Sequence, residues 1–284
     1  MSRIIQTEFD SKYFDIFGEV MMKSFMANNP GWEFHILDFG LRPDQRKIVE
    51  RFGTVEATAR ESGNRWSTIH GRMKCLARLV QQDNIIVHID GDTFVSAPID
   101  GAITAVEDAG CSAGYMLTWM KLSQHVRHLE RFKALVPLPQ LDAALTSSTL
   151  AGVFFVLLPD AGIRRVFSYI DEMWDTLRAT LYTEEPMMLC GHTLYEVPYA
   201  VVPRSYGWSV GEFGSSAPGY VIPADTPNKP GTVEPIHVVH FINNPWRCTN
   251  TASRTCQGWR AWQHATRRYK DIPWAQFEEQ CSLK

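Results

Sequence analysis

Apolar positions over the first hundred residues alternate between two periods. Residues 4–7 form a short apolar run of the kind that opens a buried strand, and Asp10-Ser11 then offers side-chain oxygens able to start a helix. Phe14, Phe17, Val20, Met21 and Phe25 follow at helical spacing and predict one apolar face, which Asn28-Asn29-Pro30-Gly31 ends. The cycle repeats with a strand at 34–37, a helix at 43–52 and a strand at 54–57. A third helix is predicted over 67–82, where Ile69, Met73, Leu76, Ala77 and Val80 share a face. It leads into residues 84–90, apolar almost throughout, as a central strand covered on both faces must be. This alternation predicts an α/β fold with a Rossmann-like, doubly wound sheet flanked by helices.

The second half is less regular. Strands are predicted at 113–118 and 151–158, separated by a stretch rich in His, Lys and Arg at 121–133. A helix over 161–181 carries Ile163, Val166, Phe167, Ile170, Trp174 and Leu177 as its buried stripe. Residues 203–235 are crowded with Gly, Pro and Ser and predict loops over a surface or cleft, before a late strand at 236–241. No internal repeat, linker or low-complexity tract interrupts the 284 residues, so the expectation is one catalytic-sized domain over 1–246 and a C-terminal helical extension over 247–284.

With 45% hydrophobic and 21% charged residues, the chain has the make-up of a soluble globular protein. Its formal net charge of -3 speaks against a nucleic-acid partner, which normally requires a basic excess. The six cysteines include no C-x-x-C pair and are expected to be mostly reduced. The opening MSRIIQTEFD has no basic stretch followed by an apolar core, and the longest apolar run, 153–158, is far too short to span a bilayer. A cytoplasmic protein is the expectation.

The candidate chemistry sits where the strand over 84–90 ends. Asp90-Gly91-Asp92 interrupts an apolar element that resumes at Thr93-Phe94-Val95, and in open α/β sheets ligands bind beyond the carboxyl ends of the strands. Two acids in such a place are costly without a cation. Their oxygens suit Mg²⁺ or Mn²⁺, and Gly91 lets the backbone turn so that both reach one ion. Such an ion would stabilise a diphosphate leaving group as charge develops on it.

Four segments, in order, resemble the A-type (GT-A) glycosyltransferases, and within them the retaining, family-eight-like enzymes that use UDP-sugars. Residues 4–13 resemble the first strand and loop that receive the nucleotide base; residues 85–95 are similar to the strand bearing the Asp-x-Asp motif; Ala151-Gly152-Val153 resembles an Asn-Ala-Gly-Val strand; and His240-Phe241 followed by Pro245-Trp246 resembles the late His-Phe and Pro-Trp. The resemblance implies a mixed sheet, with residues 1–100 as the nucleotide-binding half and 101–246 as the acceptor half. It implies a donor site from Thr7, Asp10, Tyr13, Asp90, Gly91, Asp92, Ala151 and Gly152, and Mn²⁺ (or Mg²⁺) held by Asp90, Asp92 and His240. His237 competes with His240, since either imidazole in an apolar strand ordinarily closes a core hydrogen bond.

Arg72 and Lys74 lie on the helix where related enzymes reach donor phosphates, Lys74 being the stronger candidate; a solvated helix face is the alternative. Glu184 and Glu185 sit where the family brings an acidic segment to the sugar and acceptor, or where acids simply favour a helix N-terminus. The implied activity is transfer of a hexose from a nucleotide-sugar donor to a glycan, glycolipid or other hydroxyl acceptor. Trp and Arg across 246–274 either pack into the body or make peripheral membrane contact. Two positions depart from the family: Leu150 replaces the Asn before Ala-Gly, and no Lys precedes Pro245-Trp246. The competing function is a nucleotide-sugar binding protein of the same fold that has lost catalysis.

Overall fold

β1 (Arg3–Phe9) is buried from its second residue onward and pairs in parallel with β2 (Glu33–Asp38) on one side and β4 (Ile85–Ile89) on the other. β3 (Gly53–Ala57) extends the parallel half beyond β2. These are the elements that apolar periodicity predicts. The computed structural model describes residues 1–58, 65–135, 141–182, 185–209, 220–221, 234–241 and 262–282. Glu184 and Pro245-Trp246 lie outside the described residues, as does most of the tail's aromatic and basic stretch.

The helices between these strands are α1 (Ser11–Tyr13), α2 (Glu19–Asn28), α3 (Pro43–Val49) and α4 (Arg65–Leu79). α1 and α2 are joined through a π-helical stretch, Phe14–Gly18, which the sequence pattern does not predict. Gly18 permits it: a Cβ there would meet the Phe14 ring at 2.7 Å and the Phe9 ring at 2.9 Å. The expectation of a single apolar face is also corrected. Met21 and Phe25 enter the core under the sheet, while Phe17 and Val20 enter a separate cluster with Phe94, Val239, Phe241, Tyr269 and Phe277. A C-terminal segment covers the helix's second side, so α2 is buried nearly all round.

After β4 come β5 (Thr93–Val95), α5 (Asp100–Asp108) and β6 (Ala113–Lys121). The basic stretch holds two short helices, α6 (Leu122–His125) and α7 (Leu129–Leu135), followed by α8 (Leu141–Thr146) and β7 (Ser148–Leu157). β7 lies between β4 and β6 and runs antiparallel to both, giving a seven-stranded mixed sheet in the order β3-β2-β1-β4-β7-β6-β8, where β8 is Ala200–Val201. α9 (Ala161–Arg178) starts at Asp160, whose carboxylate accepts from Gly162 N at 2.7 Å, and buries the predicted stripe from Ile163 to Leu177. α10 (Glu185–Leu194) packs beside it, and β8 (Ala200–Val201) ends the sheet.

Between residues 203 and 235 the described parts are a 3₁₀ turn, Arg204–Tyr206, and the two-residue strands β9 (Trp208–Ser209), β10 (Tyr220–Val221) and β11 (Glu234–Pro235). β12 (Val238–His240) joins β5 and β9 in a second, three-stranded sheet. A π-helical Thr266–Lys270 and a final helix, Trp274–Ser282, lie against α2. There Lys23, fully buried, donates to Glu19 at 2.7 Å and to the carbonyls of Tyr269 and Ile272 at 3.1 and 2.5 Å, with its ammonium 4.6 Å from the Trp274 ring. Cys75, Cys111 and Cys190 are free thiols. No helix among the described residues is long and apolar enough to cross a membrane.

Candidate metal and donor site

The acidic triplet forms a tight turn between the two sheets. Asp90 N donates to Val153 O at 3.0 Å, which fixes the turn to β7 beside Ala151 and Gly152; the Thr93 hydroxyl donates to Asp90 O at 2.9 Å and closes it. Gly91 is required by space: an added Cβ would lie 2.6 Å from Glu8 O and 2.7 Å from the Phe9 ring. On the far side, β12 pairs with β5 so that His240 faces Thr93, and Phe241 N donates to Asp92 O at 2.9 Å. A short antiparallel ladder thus delivers His240 to the triplet. His237 is elsewhere, stacked on Tyr206 at 4.4 Å with Nδ1 2.6 Å from Pro98 O.

Each carboxylate has one oxygen tied to the protein. Asp90 Oδ1 lies 2.8 Å from Arg72 Nη2 and 3.0 Å from His88 Nε2. Asp92 Oδ2 accepts from the Tyr13 hydroxyl at 2.6 Å. The other oxygens turn toward His240, whose Nε2 is 3.1 Å from Asp92 Oδ1 and 3.8 Å from Asp90 Oδ2. One ligand atom from each of Asp90, Asp92 and His240 therefore lies within 4.8 Å of the others. Adjacent ligands of a divalent ion bound at roughly 2.1 Å stand about 3 Å apart, so small side-chain rotations suffice to hold one. Two carboxylates and an imidazole leave further positions open, as a diphosphate-binding ion requires.

Beneath the triplet Arg72 joins a buried polar network whose other members, Gln6, Glu8 and His88, the sequence pattern does not single out. Gln6 on β1 faces His88 on β4 in the strand register, with Gln6 Oε1 2.5 Å from His88 Nδ1. Arg72 Nε donates to Glu8 Oε1 at 2.9 Å, and Nη2 reaches the same oxygen. Burial by itself would raise the Asp90 carboxyl; the Arg72 guanidinium, followed by His88 and His240, overrides this and holds it well below the usual carboxylate range. Burial of the hydroxyl end, then Asp92, raises the Tyr13 phenol, so it remains a donor to that carboxylate. The available sequence signal was the presence of Gln6, Glu8 and His88 in strands otherwise buried as apolar.

Two other triads have ligand-like spacing. In Glu8, His88 and Asp90, both carboxylates already pair with Arg72, so a cation is in place. In His35, Glu56 and Cys75, Glu56 is paired with Arg78, and burial pushes the Cys75 thiol up to about 12, far from the thiolate a metal needs. The chemistry favours Asp90, Asp92 and His240.

The other candidates are distributed unevenly. Thr7 is fully buried on β1, and its hydroxyl has no hydrogen-bond partner among the described residues. Asp10 caps α1, accepting from Tyr13 N at 2.7 Å. Arg72 is buried against the triplet, whereas Lys74 is exposed and acts electrostatically on His70. Leu150 is fully buried opposite Leu117 and offers no polar group. Glu185 opens α10, with Oε2 3.9 Å from His125 Nε2. His125 reaches Thr149 Oγ1 at 3.1 Å, four positions from Val153 and so about 13 Å along an extended strand.

Comparison with solved structures identifies the architecture. An active-site mutant of LgtC superposes with a TM-score of 0.62 at 15% identity, over 96% of this chain and 98% of that one. The chain has the GT-A fold. The galactosyltransferase LgtC in complex with donor and acceptor sugar analogs gives a TM-score of 0.59 at 16% identity, over 96% and 98% of the two chains. The bifunctional glycosyltransferase WbbM gives 0.58 at 10% identity; 98% of this chain is covered but only 51% of that one. No protein-family model and no curated protein sequence matches the chain. In GT-A terms, the Asp90 turn lies at the carboxyl edge of the parallel half-sheet, where this architecture leaves a cleft for ligands.

Proposed function

We propose that the protein is a metal-dependent glycosyltransferase that moves a hexose from a UDP-sugar to a hydroxyl acceptor with retention of configuration. The observation that carries this reading is the convergence of Asp90 Oδ2, Asp92 Oδ1 and His240 Nε2 at the carboxyl edge of a GT-A sheet. A bound Mn²⁺ or Mg²⁺ would supply charge stabilisation to the departing diphosphate. The protein's own part is orientation. Arg72 and His88 fix one oxygen of Asp90, Tyr13 fixes one of Asp92, and the remaining pair is kept facing His240. Thr7, Asp10 and Tyr13 edge the place proposed for the nucleotide, and Arg72, 2.8 Å from Asp90, is proposed to face its phosphates. Ala151 and Gly152 bring β7 backbone alongside the donor sugar. Glu185, with Glu184 before it, is proposed to position the acceptor hydroxyl.

Calorimetry with UDP tests the donor site. Mn²⁺-dependent UDP binding is expected for the wild type, weakened roughly a hundredfold or more in Asp92→Ala. Binding that is independent of metal, or equal in the variant, removes the assignment. Nuclear magnetic resonance of the first-formed anomer tests retention. The apolar Leu150 favours a second reading, a nucleotide-sugar binding protein without transfer; absence of both transfer and donor hydrolysis in a protein that binds UDP would select it.

A further inference from the structure

Arg127 and Tyr182 form a fixed, outward-facing pair on the same edge of the sheet as the acidic triplet. Val126 and Leu181 make an antiparallel bridge; Arg127 N donates to Thr180 O at 2.7 Å and Tyr182 N to His125 O at 2.9 Å. Leu181 and Thr180 are fully buried, which anchors the ribbon, while Tyr182 is 54% exposed with the Arg127 guanidinium 4.8 Å from its ring centroid. The neighbourhood is basic in a chain of net charge -3: Lys121, Arg127 and Arg131 are exposed and have no ion-pair partner among the described residues. Two acids nearby among the described residues face other groups. Glu130 faces Lys133 at 3.5 Å, and Glu185 faces His125.

β6 runs parallel to β4, so its carboxyl end emerges on the side where β4 delivers Asp90. Lys121 is in register with Ser148, five positions along β7 from the Val153 carbonyl that holds Asp90, or about 17 Å. An exposed ring offers a flat face to the carbon–hydrogen face of a sugar, and a guanidinium offers a planar fork to a carboxylate or phosphate. A loose cluster of lysines would suit a lipid surface. Here the backbone on both sides of the pair is hydrogen-bonded in place, which suits recognition of one defined group.

We propose that Arg127 and Tyr182 bind an acidic saccharide, bearing a carboxylate or phosphate, as the acceptor's extension beyond the transfer site. Its role as acceptor rests on the transferase reading; the binding site itself does not.

The test is an array of neutral, uronic-acid, sialic-acid and phosphorylated oligosaccharides, probed with wild type, Arg127→Gln, Arg127→Lys and Tyr182→Ala. Wild-type retention confined to acidic glycans is expected, with affinity roughly ten- to a hundredfold weaker in Arg127→Gln. Arg127→Lys should recover part of it and Tyr182→Ala should lose it. The carboxylated and phosphorylated arms distinguish the two sources of charge. UDP binding with Mn²⁺ and circular dichroism report on folding of each variant. Equal retention of neutral glycans, no retention at all, or no change in Arg127→Gln overturns the proposal. So does Arg127-dependent binding only to phosphatidylcholine–phosphatidylglycerol vesicles. If wild type fails to bind UDP yet keeps Arg127-dependent acidic glycans, the donor reading falls and the saccharide site stands.

Discussion

At the scale of single residues, Arg72 carries a double electrostatic duty. It is buried and compensates two acids, the buried Glu8 and the half-buried Asp90. Arg72→Met keeps much of the side-chain volume but leaves both carboxylates without their cation, and removing one partner of a buried ion pair typically costs about 3–5 kcal/mol. Urea denaturation should show a loss of that order, and UDP should bind more weakly. A variant as stable as the wild type would mean that Glu8 and Asp90 find other donors. Asp90 and Asp92 could be read from the sequence because they break an apolar run at a strand end. Gln6, Glu8 and His88 could not, because an isolated polar residue in a buried strand looks the same whether it meets a partner on the next strand or none. Only the register that sets Gln6 beside His88 settles the matter.

Elements were legible where one face is apolar and the other wet, and less so elsewhere. α9 shows its stripe plainly and is found where the pattern puts it. The direction of β7 was hidden, since a strand buried on both faces gives the same apolar run whether parallel or antiparallel. The double burial of α2 was hidden too, because the second covering surface comes from the other end of the chain. Lys23 is the fastening between them. Lys23→Met should cost about 2–4 kcal/mol by leaving two carbonyls and Glu19 without their donor. Hydrogen exchange should accelerate selectively in the segment after residue 265, with β1 and β4 amides little changed. Uniform acceleration throughout would show that this segment does not open separately.

Across the whole molecule, one route by which acid acts on stability is a buried histidine. His192 on α10 is buried in the larger core, its Nε2 2.9 Å from the Tyr115 hydroxyl and its Nδ1 2.9 Å from Val197 O, a pattern that suits the neutral ring. Burial pushes its pKa down to about 4 from the usual 6.5. Above 6.5 the ring is neutral folded or unfolded and contributes nothing to pH dependence. As pH falls from 6.5 to 4 the unfolded chain takes up the proton first, so stability declines by up to about 3 kcal/mol and then levels off as the folded ring titrates. Comparing urea midpoints of wild type and His192→Gln over this range isolates the contribution; parallel curves would place the acid sensitivity elsewhere.

The Lys23 anchorage also bears on how the protein is made. Its carbonyl acceptors lie 246 and 249 residues further along the chain, so on the ribosome α2 is synthesised long before the atoms that receive its ammonium exist. Until they emerge, a charge destined for complete burial must stay hydrated, and the helix that bears it cannot seat its second face. A chain lacking residues 269–272 would therefore keep β1 to β4 yet leave the Lys23 ammonium without its two carbonyl acceptors, hydrated at a surface that the helix is built to bury.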